Sequence, residues 1–411
     1  MNLEKVRKYA ELIARTGANI QKGQVANIIA DLEIKEFVYI LVEECYKAGA
    51  GKVYVDWSSD ELLALDVKYC DEERLSHLTN FEKAKQEFNI ENRPVKIFID
   101  SKDPDSLKNL DQDKYGRILS VRQKEIRFYR DQYDDYCQWV IAGYPGLAWS
   151  KKVFPELSDE EAMEKMLDTI LKVSRADEGD PIENWKKHDK SLVAKAEKLN
   201  SLKLKELHYT SSNGTDLIVK LLPNVNWEAG GEYTKSTKIH FQPNIPTEEC
   251  FTSPDKYGTE GIVYSSKPLS YRGQIIDNFS IRFEKGKAVE VHAEKGEELL
   301  KNMISLDENA AYLGECALVP YDSPINNTGI LFFSTLYDEN AACHLALGTA
   351  FPMLIEGYEN LSPEEISKVS INKSIVHTDF MIGNKDLRIE ATDFEGKKYL
   401  IFENGNWTNI F

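Results

Sequence analysis

The stretch QVANIIADLEIKEFVYILVEECYKAGAGKVYVDW, residues 24–57, sets the architecture of the first half of the chain. Its opening, Gln24–Ala30, is an apolar run with the length of a strand. After it, Ile34, Phe37, Val38, Leu41 and Cys45 recur at intervals of three and four and mark one face of a helix. Gly49 and Gly51 end that helix, and Val53-Tyr-Val-Asp-Trp57 follows as a second strand. Strand, helix and strand in succession build a parallel sheet, because parallel neighbours need a crossover between them. The same alternation extends outward in both directions. Upstream, Leu3, Val6, Ala10 and Ile13 have helical spacing; downstream, Val95–Asp100 and Trp139–Ala142 read as strands separated by charged helical stretches. Ser158-Asp-Glu-Glu161 is a capping box that opens a helix with Met163, Met166, Leu167, Ile170 and Leu171 on its apolar side.

Near residue 200 the pattern changes. Leu207–Tyr209 and Leu217–Val219 flank Asn213-Gly214, a pair that tolerates the positive φ of a tight hairpin turn. Comparable hairpins are expected around Lys285-Gly286 and Glu395-Gly396, with helical patterns interrupting them at Glu297–Ile304 and Ala341–Leu347. The lysine-rich segment Ser191–Lys205 serves as connector. The expected fold is therefore an α/β N-terminal domain with a mainly parallel sheet, residues 1–195, followed by a β-rich α+β C-terminal domain, residues 196–411, that carries the active site.

Composition narrows the functional classes. The chain has 411 residues, 51 Lys and Arg against 68 Asp and Glu, and a net charge of −17. A nucleic-acid binder needs clustered positive charge to displace phosphate counterions, and this chain shows no basic run or stripe. No apolar run approaches the ~18 residues that span a bilayer, and the first twenty residues mix charges throughout. Cys45, Cys70, Cys137, Cys250, Cys316 and Cys343 are scattered, without the paired spacing of a zinc ribbon or a dithiol redox site. A cytoplasmic protein without nucleic-acid or membrane partners is expected.

Two near-motifs are discounted. Ala48-Gly-Ala-Gly-Lys52 resembles a phosphate-binding loop, but its glycines precede a strand instead of opening a helix. Ser253-Pro-Asp-Lys256 has the spacing of some serine acyl-transferases, yet its Pro-Asp pair favours a turn.

The residues with the strongest claim to chemistry lie after residue 240. In His377-Thr-Asp379, strand periodicity puts imidazole and carboxylate on one face. Such a pair alone means little, since His292-Ala-Glu294 is another and one is expected by chance. His344 sits in Asp338-Glu-Asn-Ala-Ala-Cys-His-Leu-Ala-Leu-Gly348, where a polar ring among small residues needs a partner. Read as a helix, this run places Gly348 one turn beyond His344 and leaves Glu339 to reach in from the preceding loop. Glu315 precedes the apolar Cys-Ala-Leu-Val319, and Glu248 and Glu249 lie next to Cys250-Phe251 without a local basic partner. Buried carboxylates of this kind are costly unless compensated. Carboxylates with imidazoles and no thiolates suit zinc, cobalt or manganese, and more than three carboxylates suit two ions sharing a bridge. By spacing alone, these acids equally fit independent surface or turn positions.

At these residues the chain resembles the thermophilic aminopeptidase family of dinuclear metallopeptidases, the aminopeptidase T and aminopeptidase S type. The similar segments are Asn244–Glu249 with Phe251–Asp255, Leu313-Gly-Glu315, Asn340–Gly348 and His377–Gly383, in the same order, with a weaker likeness through Asn19–Gln24. The resemblance implies Glu249, Glu315, His344, His377 and Asp379 as ligands, Glu339 as an additional one, and Glu315 as the bridge. Glu248, by its adjacency, is the candidate proton shuttle. It further implies two divalent ions, zinc or cobalt, a homodimer, peptide substrates, and release of N-terminal residues by a metal-bridging hydroxide. One position departs: where the family has tyrosine, seven residues after His344, this chain has Phe351. The missing hydroxyl is of the kind that stabilises an oxyanion, worth about 2.7–4 kcal/mol; Tyr358 and Tyr321 are nearby candidates to replace it. The alternative expectation is a metal-containing peptide-binding protein with weak or no turnover. Phosphoester hydrolysis is disfavoured, because the quoted segments offer only Lys256 to hold a phosphate.

Overall fold

A computed structural model describes residues 2–411. The chain divides into two compact units, one comprising the described residues up to Lys186 together with Gly231–Pro246, the other Lys187–Gly230 and Thr247–Phe411. The helix Pro181–Ser201 contains the first of these boundaries.

The first unit holds a five-stranded parallel sheet ordered Asn244–Ile245, Trp139–Gly143, Val95–Asp100, Val25–Asp31, Lys52–Ser58. The 24–57 segment forms the expected strand, helix and strand, with Ile28 registered between Val55 and Ile97. Its helix, Lys35–Ala48, buries Phe37, Val38, Leu41 and Cys45 and stops at Gly49, whose φ of 120° only glycine adopts without strain. The capping box is present at Ser158 and Glu161, at the start of the helix Asp159–Val173. A division at 195/196 assigns Gly231–Pro246 to the second domain. Here Asn244 and Ile245 instead add an edge strand to the first unit's sheet.

The second unit is built from two antiparallel sheets around one core. The larger contains all three expected hairpins: Leu204–Thr210 with Asp216–Lys220, Gln274–Glu284 with Lys287–Lys295, and Arg388–Asp393 with Lys398–Glu403. The smaller has five strands in the order His377–Met381, His344–Gly348, Leu313–Leu318, Cys250–Thr252, Glu228–Ala229. Strand alternation gives it two unlike faces. Leu345, Leu347, Cys316, Leu318, Phe380, Cys250 and Ala229 point into the shared core with Leu207, Leu217, Ile281 and Ile389. Their neighbours in sequence, His344, Ala346, Glu315, Ala317, Asp379 and Phe251, take the opposite face.

One expectation fails here. Ala341–Leu347 is not helical: the helix Thr335–Asp338 and a 3-10 turn at Glu339–Ala341 end before Ala342, and His344–Gly348 is a buried central strand. A run of Ala, Leu and Gly fits either period, and burial of alternate leucines in the sheet decides between them. Gly348 still shares a face with His344, since four residues are close to one helical turn and also an even number of strand steps.

Candidate metal centre

The site grows from the second face of the five-stranded sheet. Glu315 and Asp379 lie on either side of Ala346 in one cross-strand row; His344 stands opposite Ala317, and His377 opposite Gly348. The floor between the acids and imidazoles is thus made of the smallest side chains, leaving the space above it to the functional groups. A bulge at Gly314 aims Glu315: two steps earlier Leu313 pairs with Leu347 and faces the core, whereas Glu315 pairs with Ala346 and faces the site. A Cβ on Gly314 would collide with the carbonyl oxygens of Thr349 and Gly348, so only glycine fits. Gly348 has a φ of 110°, and a Cβ there would strike the Val376 carbonyl. Gly348→Ala is expected to cost about 2 kcal/mol or more, read as a lower denaturation midpoint.

Glu249, Glu315 and His344 form one group whose ligand atoms lie within 4.8 Å of one another; Glu315, His377 and Asp379 form a second. His344 Nε2 is 3.1 Å from Glu249 Oε2, and His377 Nε2 is 3.1 Å from Glu315 Oε2 and 3.3 Å from Asp379 Oδ1. On the other side of each ring, Nδ1 meets a backbone carbonyl: Ala342 O at 3.3 Å and Thr349 O at 2.8 Å. Nδ1–H donation to a carbonyl leaves Nε2 as the atom that faces the carboxylates and that would give up its proton to a metal ion, which is the arrangement of a ligating histidine.

Burial and mutual repulsion set the electrostatics. Burial opposes charge on His344, but the bonded Glu249 carboxylate and the neighbouring Glu315 and Asp379 raise it to about 10. Burial likewise opposes charge on His377, and Asp379 and Glu315 raise it well above the usual imidazole value. Desolvation pushes Glu315 up to about 7 against the pull of His377. Asp379 resists burial and is held low by His377 and His344. Glu339 is pushed well up by burial and by Asp379 and Glu249. It lies outside both trios and faces them from the turn that precedes the His344 strand.

Glu248 is buried, its backbone N–H donating to Asn340 Oδ1 at 2.8 Å and its Oε2 lying 3.8 Å from His188 Nε2. The fully buried Asn340 also donates to Leu336 O at 2.9 Å and to Glu339 Oε1 at 3.4 Å, so one amide holds both glutamate segments. His188 Nε2 is 2.7 Å from the Thr247 carbonyl. Neither His188 nor Asn340 is marked by local sequence; His188 sits in a charged helix, and Thr247 is 59 residues away.

Other nominated residues fall elsewhere. His292 is exposed and pairs with Glu297 at 2.7 Å, not with Glu294. Ser253 Oγ accepts from the Phe351 N–H at 2.9 Å, while Lys256 donates to Asn309 Oδ1 at 2.6 Å, so the pair is structural. The Phe351 ring lies 5.0 Å from the His377 ring and 5.3 Å, edge-on, from that of Phe251. Tyr358 packs in the same apolar cluster as Phe351.

The family model described as thermophilic metalloprotease (M29) matches residues 2–407. The chain belongs to this family. Among its relatives, aminopeptidase AmpS of Bacillus subtilis (strain 168) is 41% identical over 98% of both chains, and aminopeptidase T of Thermus thermophilus is 36% identical over 99% of this chain and 98% of that one. The solved structure of wild-type AmpT from Thermus thermophilus superposes with a TM-score of 0.91, at 33% identity, over 99% of this chain and 100% of the other. Membership in a thermophilic metalloprotease family agrees with the donor set: carboxylate oxygens and imidazoles that turn Nε2 towards them, without thiolates, fit a hard to borderline dication. No helix among the described residues is long and apolar enough to cross a membrane.

Proposed function

We propose that the chain is a dinuclear metalloaminopeptidase that releases N-terminal residues from peptides. The observation that carries this reading is the sharing of Glu315 between two ligand trios. Glu249 and His344 would hold one divalent ion, His377 and Asp379 the other, Glu315 both, and Glu339 would complete the set; zinc or cobalt suits these donors. A pair of such ions supplies polarisation of the first carbonyl and acidification of water towards neutrality. The protein's own groups then orient and move protons. Glu248, next to the ligand Glu249, held through its backbone by Asn340 and with His188 beside its carboxylate, would take a proton from the attacking water and return it to the departing amine. A homodimer belongs to the same reading, checked by light scattering for twice the 47.0 kDa chain mass.

The decisive assay compares a free peptide with its N-acetylated twin. Stepwise loss of first residues from the free peptide, with the blocked one inert, is expected; internal cleavage of the blocked peptide would remove the aminopeptidase reading.

A second reading is favoured by the Phe351 ring on His377: a metal-containing peptide-binding protein with weak turnover. Phe351→Tyr separates the two. A hydroxyl restored beside the site is expected to raise kcat by up to about two orders of magnitude if wild-type turnover is limited by the missing donor. Robust wild-type turnover with no gain on substitution excludes the binding-protein reading.

A further inference from the structure

Thr247 and Glu248 share a peptide unit that belongs to no strand. Residues Thr247–Glu249 lie between the strands Asn244–Ile245 and Cys250–Thr252 and take part in neither, and Thr247 and Glu248 are both buried. A buried peptide outside a ladder must find other partners for its carbonyl and its N–H. Two side chains supply them. The Thr247 carbonyl lies 2.7 Å from His188 Nε2, and the Glu248 N–H donates to Asn340 Oδ1 at 2.8 Å. The carbonyl and N–H of one trans peptide point in opposite directions, so the imidazole and the amide grip the same plane from its two sides.

A carbonyl offers only lone pairs, so His188 Nε2 carries the hydrogen in this contact. The Glu248 carboxylate, 3.8 Å from the same nitrogen, is beyond hydrogen-bond range. The imidazole therefore acts first on the backbone. Rotation of the gripped plane would turn ψ of Thr247 and φ of Glu248 together, and with them the direction in which the Glu248 side chain leaves the chain. Glu249 is anchored without this grip: its Oε2 lies 3.1 Å from His344 Nε2, and the next residue, Cys250, is in register with both Leu318 and Ala229.

We infer that His188 is a positioning residue for peptide hydrolysis. By holding the Thr247 carbonyl opposite Asn340 it fixes the geometry of the Glu248 carboxylate, and so sets the rate of proton transfer without contributing to metal binding. This rests on the reading of Glu248 as the proton shuttle.

The test uses the full-length, metal-loaded protein and the dipeptide Leu-Ala. His188→Phe and His188→Met remove the N–H donor in two different shapes. Each should lower kcat by about 10- to 100-fold, with KM within about threefold and bound metal as in wild type. His188→Gln, whose amide N–H can reach the same carbonyl, should bring kcat back to within about threefold of wild type. In a Glu248→Gln background the His188 substitutions should change kcat by no more than about twofold, because the group they position is already gone. Wild-type kcat in His188→Phe and His188→Met overturns the inference, as does an equal fall in both backgrounds or no recovery in His188→Gln. Loss of metal from both His188→Phe and His188→Met also overturns it, since the grip would then serve the ligand Glu249. Full turnover by Glu248→Gln removes the shuttle reading itself; slow Glu248→Gln beside unimpaired His188→Phe and His188→Met removes only the role of His188. A wild type that cleaves no peptide removes both.

Discussion

Glu315→Gln is expected to abolish measurable peptide hydrolysis, lowering kcat/KM by about 10³-fold or more, and, on the proposed dinuclear reading, to reduce bound metal from two ions per chain to one or fewer. Glu315 alone belongs to both ligand trios. An amide has the shape of the carboxylate but not its charge, and offers one oxygen where the proposed bridge would use two. It would also take one of two negative charges from beside His377 Nε2, 3.1 Å from that side chain, leaving Asp379 at 3.3 Å as its charged partner. Glu339→Gln should be milder, about 10- to 100-fold, because Glu339 faces the cluster from outside the two trios. Metal content by plasma emission, measured beside activity, decides the assignment. Retention of two ions in the Glu315→Gln variant, or a larger effect of Glu339→Gln, would overturn the bridge.

Complete chelation is expected to remove activity and to lower the denaturation temperature by on the order of 10 °C, with zinc or cobalt restoring both. The second effect follows from burial. Glu249, Glu315, His344 and Asp379 are buried side by side, a concentration of charge that is stable only when balanced. In the chelated protein, protons must do the balancing. His344, raised to about 10, and His377, raised well above its usual value, hold protons at neutral pH. Re-metallation should therefore release protons, and affinity should fall as pH falls. For His344 the folded-state value lies above the ordinary 6.5, so the stability that its ion pair gives the chelated protein is complete below about pH 6.5 and is lost as pH rises through about 10. Calorimetric metal titrations in buffers of different ionisation enthalpy count the released protons. Unchanged activity after complete removal of metal would exclude a metallopeptidase.

Much of the architecture is legible from local pattern. The 24–57 segment shows its crossover because the helical and strand periods are clean, and the three hairpins announce themselves by Asn-Gly, Lys-Gly and Glu-Gly turns. The strand at His344 is not legible. Its leucines and small residues satisfy two periods at once, and only the sheet beneath resolves them. The site divides in the same way. His377 and Asp379 pair through local periodicity, whereas the approach of Glu249 to His344 is a tertiary event between segments almost a hundred residues apart. The clamp made by Asn340 and the contact made by His188 carry no local signal, since both act on backbone or side-chain groups that only folding brings near. The ligand roles come from family resemblance, not from spacing.

The bulge at Gly314 makes chain length part of the site's specification. Leu313 and Glu315 face consecutive residues of the neighbouring strand, Leu347 and Ala346, so Gly314 is the one position of the segment whose removal keeps both faces as they are. A residue added or lost between Glu315 and Leu318 instead slips the alternation and exchanges the two faces beyond the cut. This part of the segment should therefore tolerate changes of residue identity at its core positions better than a change in residue count. In a deletion-and-insertion library selected only for folded protein, positions 315–318 are expected to be empty of survivors, with deletion of Gly314 the one change of length that the strand accepts.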